Sequence, residues 1–517
     1  MMRLPTPSEE ILRLRQSRQH TKSLSDASGA FLYKQTAMLH LKLQIKNSIP
    51  VIWRMRKMVM RAFSPLIWRQ RLLVWTCGIL IGLLAAAFSE MADKSQDIFT
   101  HIVHINRFIP LIMTPAIFAL AAGATFRWFP SIPGSGIPQA IAAREVHDKE
   151  ARHWLLGARS IFGKIFLTVL CLMSGASIGR EGPTVQVGAA LLMMCAAFKV
   201  LNTDRSLILA GAASGIAAAF NTPIAGIVFA IEEMARGFHR RNSTLILMSI
   251  MLSGAASMSI LGNYNYFGVT TENFVPATDW IPMLVIGVFG GLGGALFTWM
   301  LTHGLHLLKR FTNKTVLKSP AVFAGACGLF VAVLGLMTHG QTYGTGYGLA
   351  NNLLHGKDLV SWGCAIAKLL ATALSSVCGI PGGIFSPSLS IGAAMGTSLL
   401  PLFKHTTEQV VVVMAMVAYL SGVTQAPITS AIIVIEITGN NFMPAPLVAI
   451  AVLASAVSQV FCPVSLYHML AHEYVGKAMQ ATKERHVHRP QPQPEPVTKP
   501  EISTEEPALP KAAAASE

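Results

Sequence analysis

Apolar runs recur along this chain at 72–89, 108–126, 154–176, 243–261, 280–301, 321–337, 410–420 and 445–462. Most approach the roughly 20 apolar residues that a helix needs to cross the hydrocarbon of a bilayer. Lipid offers exposed backbone groups no partners, so the pattern predicts α-helices. A β-barrel would instead show alternating segments of about ten residues, and the sequence has none. Groups of glycine and proline interrupt the apolar runs, which predicts helices that break within the membrane part.

Composition agrees with that reading. Of 517 residues, 52% are hydrophobic and only 13% charged, whereas a soluble protein carries about 25% charged residues. The net charge of +16 would suit nucleic acid, but its location excludes that partner. Basic residues crowd the first 71 positions, from Arg13, Arg15, Arg18 and Lys22 through Arg54, Arg56 and Lys57 to Arg69 and Arg71. Segments rich in Lys and Arg stay in the cytoplasm. Residues 1–71 are thus expected to form an internal arm, in contact with anionic lipid. Within it, 39–63 reads either as a surface helix or as a solvated arm. No cleavable signal peptide is expected, since the first long apolar run starts near residue 72. Residues 72–480 are expected to form the transmembrane domain. From 481 to 517 the chain is polar, with Pro and Glu, and reads as a disordered cytoplasmic tail with no second soluble domain after the membrane part. All seven cysteines lie in or beside apolar runs without a CxxC pair, so they read as small core residues and not as disulfides or metal ligands. His101 and His104 lack further ligands nearby. No metal and no cofactor is expected. HExxH and GxSxG are also missing, which argues against an intramembrane enzyme.

The chain repeats itself. At an offset of 204 residues, Gly179 falls on Gly383, Pro183 on Pro387, Gly188-Ala189-Ala190 on Gly392-Ala393-Ala394, Pro223 on Pro427 and Glu232 on Glu436. At a slightly different offset, Gly134-Ser135-Gly136 matches Gly344-Thr345-Gly346. The halves run over about 72–239 and 280–474. Two related halves suit a transporter, which places its substrate at the repeat interface among broken helices.

Three Gly/Pro loops, at 133–138, 179–183 and 381–387, each precede a proline that opens an apolar helix. Proline fits the first helical turn, and glycine lets backbone approach a ligand. Helix N-termini carry free N–H groups and partial positive charge, so three pointed at one place make an anion site. Such a site holds an anion without a full cation, which lets it leave again. Glu181 lies between glycines at one such end, where a buried charge costs at least roughly 2.5 kcal/mol. Ionised, it can occupy the anion's place; protonated, it can vacate it. It is therefore both gate and proton carrier. Glu232 and Glu233 point about 100° apart on a helix. The repeat mate Glu436 marks Glu232 as structural, leaving Glu233 as the internal proton site. Lys164, inside an apolar run, either raises the local potential for anions or snorkels to an interface. Tyr467 either donates to an anion or anchors at an interface.

On the strings GSGIP (134–138), GREGP (179–183) and GIFSP (383–387), with SLY (465–467), the chain resembles the CLC family of chloride channels and proton-coupled chloride antiporters over roughly 70–480. The resemblance implies an all-α membrane protein with two inverted-topology repeats, and a homodimer with one pore per subunit. It implies a prokaryotic-type member in the bacterial inner (plasma) membrane, with both termini cytoplasmic and without the paired C-terminal nucleotide-binding domains of many relatives. By position, Ser135, Gly136, Ile384, Phe385 and Tyr467 would hold chloride. Glu181 would be the external gate and Glu233 the internal proton glutamate, with Arg180, Gly182, Gly383 and Lys164 in support. Ser135 is the form that looks chloride-selective. An acid at Glu233 points to electrogenic, voltage-sensitive H+/Cl- exchange, with a passive channel of the same fold as the alternative. Gln139 and Ile141 depart from the family, where many relatives carry glutamate at the first position.

Overall fold

The computed structural model describes residues 64–195, 204–234, 243–262, 265–312, 319–357 and 360–488, together with Met38. The basic arm up to residue 63, the surface helix expected at 39–63 and residues 489–517 lie outside the described residues, save Met38. The chain divides into a unit of residues 1–73 and a unit of residues 74–517, and everything below on the site concerns the second.

In chain order the helices are α1 (Pro65–Ile105), α2 (Pro110–Trp128), α3 (Ile137–Glu145), α4 (Lys149–Leu156), α5 (Ala158–Leu172), α6 (Glu181–Cys195), α7 (Asp204–Phe220) and α8 (Pro223–Phe229), which a π-turn at Ala230–Met234 extends. There follow α9 (Ser243–Leu261), α10 (Pro276–Thr312), α11 (Pro320–Met337), α12 (Tyr347–Leu354), α13 (Trp362–Val377) and α14 (Phe385–Leu399). The last four are α15 (Glu408–Thr424), α16 (Pro427–Thr438), α17 (Pro444–Phe461) and α18 (Leu466–His488). Prolines open α2, α8, α11, α16 and α17, where a missing N–H leaves nothing unpaired. No sheet forms among the described residues beyond two isolated backbone bridges.

Seven helices among the described residues are long and apolar enough to cross a membrane, and the protein is an integral membrane protein. The run at 410–420 falls in the shorter helix α15, buried at every position from Val410 to Thr424. A helix apolar all round is a core helix. Here the sequence pattern marked the centre of the protein and not a lipid-facing span.

The two halves correspond element by element. Helices α6 and α14 start and end 204 residues apart, as do α7 and α15. The mates Gly179 and Gly383 exchange hydrogen bonds, each N–H donating to the other's carbonyl at 2.7 Å. This antiparallel, reciprocal pair puts a pseudo-twofold axis between them.

Two expectations need correction. Cys77 and Cys195 are paired as a disulfide; the other five cysteines are free and buried. The absence of a CxxC spacing carried no information about partners 118 residues apart. Residues 481–488, expected to belong to the tail, are helical, because α18 continues to His488. Gln480 donates to Glu484 one turn on at 3.3 Å, and Thr482 is buried, so the segment has both local and packing support.

Candidate functional site

Backbone stitches the three punctuated loops together. Gly134 N–H donates to the Ile380 carbonyl and Gly382 N–H to the Gly134 carbonyl, both at 3.0 Å, while Gly179 and Gly383 make their reciprocal pair. Gly136 caps α3 with φ +112°, a conformation open to glycine at no steric cost. A Cβ on Gly182 would run into Ser135 and stand 3.2 Å from the Gly383 Cα, so only glycine lets these loops meet. The N-termini of α3, α6 and α14 thereby converge, each with N–H groups that have no partner within the helix.

Two hydroxyls project into this convergence. Ser135 Oγ and Tyr467 Oη are buried, and neither has a hydrogen-bond partner among the described residues. The Tyr467 ring is stacked on Phe385, with centroids 6.0 Å apart and planes at 23°. Phe385 is the first residue of α14 and Ile384 its cap, so their amides lie at that helix's positive end. A buried donor left unsatisfied costs roughly 1–3 kcal/mol. Hydroxyls and helix-end amides suit a small anion. A cavity of about 260 Å³ lined by Ser135, Pro138, Ile384, Tyr467, Tyr474 and Lys477 leads to it.

The carbonyls that precede Ser135 each have a side-chain donor. Lys164 Nζ donates to the carbonyls of Ile132 at 2.8 Å and Gly134 at 2.6 Å. Gln139 and the Tyr474 hydroxyl both donate to Pro133, at 2.6 and 2.7 Å. Lys164 is fully buried, so the snorkelling alternative is wrong: the two carbonyl acceptors compensate for the burial of its ammonium. Its repeat mate, Lys368, is also fully buried and donates to Thr342 at 3.0 Å and Gly344 at 2.9 Å. The sequence reading passed over Lys368, although the 204-residue offset that pairs the glycines also pairs the lysines.

Glu181 is fully buried at the start of α6. Ser386, the second residue of α14, donates to its Oε1 at 2.6 Å, while Oε2 has no partner among the described residues. The carboxylate thus sits across the seam, held by the end of a helix from the other half. Ser386 lies inside the GIFSP string but had not been singled out. Arg180 turns the other way. It is buried, pairs with Asp93 at 2.5 Å, donates to the Ser89 carbonyl at 2.9 Å and lies over the Tyr266 ring at 5.7 Å. The Asp93 side chain is 63% exposed, so this ion pair connects the start of α6 with the protein surface.

The adjacent acids separate as expected of successive helical positions. Glu232 accepts the N–H groups of Ile428 at 3.0 Å and Thr429 at 2.6 Å. Glu233 turns inward on the π-turn, 4% exposed. Its Oε1 lies 3.6 Å from Nδ1 of His468, a residue that the sequence reading also passed over and that directly follows Tyr467.

Comparison with known proteins agrees with this geometry. Residues 117–459 match the family described as voltage gated chloride channel. The H(+)/Cl(-) exchange transporter ClcA of Vibrio cholerae serotype O1 is 30% identical over 428 residues, covering 76% of this chain and 87% of its own length. Among solved structures, a slow cyanobacterial Cl-/H+ antiporter aligns with TM-score 0.69 at 23% identity, over 79% of this chain and 98% of its own. A CLC-type fluoride/proton antiporter aligns with TM-score 0.64 at 23% identity, over 76% and 96%.

Proposed function

Because this chain belongs to the voltage gated chloride channel (CLC) family, we propose that it exchanges chloride for protons across the membrane. The observation that carries the proposal is the pair of buried hydroxyls, Ser135 and Tyr467, without partners among the described residues at three converging helix ends. Chloride accepts from both hydroxyls and from the amides of Ile384 and Phe385. Ionised Glu181 competes for the adjoining position and, once protonated, leaves it to a second anion. Glu233 exchanges the proton with the inner face. Gly136, Gly182 and Gly383 keep the backbones close, Lys164 holds the loop carbonyls and Arg180 links the gate to Asp93. An anion and a cation moving in opposite directions make each cycle electrogenic.

The protein is a homodimer with one anion path per subunit. The many exposed large apolar side chains are shared between the subunit face and lipid. It resides in a bacterial plasma (inner) membrane with both termini cytoplasmic, the basic arm 1–71 lying against anionic lipid.

Purified protein in liposomes tests this under a chloride gradient with the voltage clamped near zero. Uphill proton movement is expected. It should vanish in Glu181→Gln and in Glu233→Gln, with chloride still flowing in the latter. Chloride flux with no proton movement would replace the exchanger with a channel.

A further inference from the structure

The proposed exchange leaves open how a proton reaches Glu233, which is nearly enclosed. In α3, the positions where a second acid would sit carry Gln139 and Ile141. Gln139 is committed to the Pro133 carbonyl and Ile141 is apolar, so neither of these two positions offers a proton carrier. The N-terminal turn of α18 does. His468 Nδ1 lies between Ser465 Oγ at 3.0 Å and Glu233 Oε1 at 3.6 Å. The imidazole side chain is 13% exposed and the carboxylate 5%, so the pair forms a step from the more open position to the more closed one.

We propose that His468 is the residue that passes protons between the inner face and Glu233, an inference that rests on the exchanger reading above. In the inward-to-outward step the Nδ1–H bond of an imidazolium breaks, an O–H bond forms on Glu233 and the ring is left neutral. Nδ1 then takes a proton from hydronium at the inner face, which is left as water, and the reverse steps carry a proton inward.

The surrounding ionisable groups leave His468 to Glu233. On the helices packed against α18, Arg152 is committed to the carbonyls of Val146 and His147, and Asp279 to the Val275 N–H. Arg144, Glu145, Lys149, Glu150 and His153 belong to α3 and α4, His303 to α10, and Glu408 and Tyr419 to α15. On α18 itself Glu473 pairs with Lys477 at 3.0 Å, and His472 lies one turn further on. The carboxylate that reaches the imidazole is Glu233. Because Tyr467 and His468 are consecutive, one turn of one helix touches the anion position with one residue and the proton carrier with the next.

The test uses the full-length protein in liposomes, with proton and chloride fluxes measured together while internal pH is varied between about 5 and 8, the range over which imidazole titrates. His468→Asn keeps a polar atom near Nδ1 but carries no exchangeable charge. It should lower proton flux per chloride at least about tenfold, flatten the pH dependence and leave chloride flux near wild type. In His468→Ala, imidazole added to the internal buffer should restore proton flux. Unchanged proton flux and pH profile in His468→Asn would overturn the proposal. So would joint loss of chloride and proton flux that imidazole does not restore, which would make His468 only a packing element. Absence of proton movement in the wild type would instead remove the exchanger reading itself.

Discussion

Glu232 and Glu436 cap each other's helices. Glu232, on the π-turn that extends α8, accepts the N–H groups of Ile428 and Thr429 at the start of α16. Glu436, near the end of α16, accepts those of Ile224 at 3.2 Å and Ala225 at 2.6 Å at the start of α8. All four amides are among those that a helix cannot satisfy itself. The carboxylates also complement the positive ends of the two helices. Both helices open with proline, after cap residues whose own side chains make no capping bond, so each depends on the other half for its cap.

Removing either carboxylate should therefore destabilise the protein by a similar amount. An N-cap loss costs about 1 kcal/mol. Glu232→Ala and Glu436→Ala are expected to lower Tm comparably in detergent, with chloride flux per folded protein unchanged. A loss of transport without loss of stability would show that these acids act on ions after all.

Ser135→Ala and Tyr467→Phe each delete a buried hydroxyl that has no partner among the described residues. Each should lower chloride affinity by roughly 1 kcal/mol, the net value of one hydrogen bond, or several-fold in Kd by calorimetry. The same deletions remove an unsatisfied donor. In chloride-free buffer the variants should therefore unfold no earlier than wild type, while gaining less Tm from added chloride. Equal chloride stabilisation in all three proteins would place the anion elsewhere.

Ser386→Ala takes away the hydroxyl that holds Glu181 across the seam. A hydrogen bond to a charged group contributes about 1.5–3 kcal/mol. With the carboxylate less firmly seated, chloride competes better for that end of the site. Calorimetry at neutral pH should show tighter chloride binding in Ser386→Ala. Weaker binding would mean that the Ser386 hydroxyl serves the anion more than the gate.

The two buried lysines should behave as mates. Lys164→Met leaves the carbonyls of Ile132 and Gly134 without their donor, and Lys368→Met does the same to Thr342 and Gly344. Each should cost a few kcal/mol, the range for leaving more than one buried acceptor unmade. Lys164→Met should in addition weaken chloride binding, because its loop carries Ser135. If Lys164→Met keeps both Tm and chloride affinity, the loop is held by Gln139 and Tyr474 alone.

Much of this was legible in the sequence because repeats and punctuation leave their mark in residue identity. The offset that aligned Gly179 with Gly383 also placed two residues that turn out to hydrogen-bond each other. It marked Glu232 as the mate of Glu436, and the two are reciprocal caps. What stayed hidden depended on three-dimensional pairing without a spacing rule. Lys164 in isolation reads as a snorkelling side chain, and only the folded loop shows the carbonyls that surround it. His468 looks like one of 16 histidines until the π-turn brings Glu233 to it. Cys77 and Cys195 sit in separate apolar runs, and nothing along the chain announces their meeting.

The Gly179–Gly383 pair carries a historical consequence. Two identical copies of one half could make the same reciprocal bond with each other, provided that they lay in the bilayer in opposite orientations. A single half holds the Ser135 and Glu181 loops or the Ile384 loop, but not both. An ancestral half-length protein could thus have had a working seam only by inserting both ways up. Fusion of the two copies into one chain would then have allowed what the present sequence displays: Ser135 on one side opposite Thr345 on the other, and Glu181 with no acid at its mate, Phe385. Only after the copies stopped being interchangeable could the two ends of the seam come to differ.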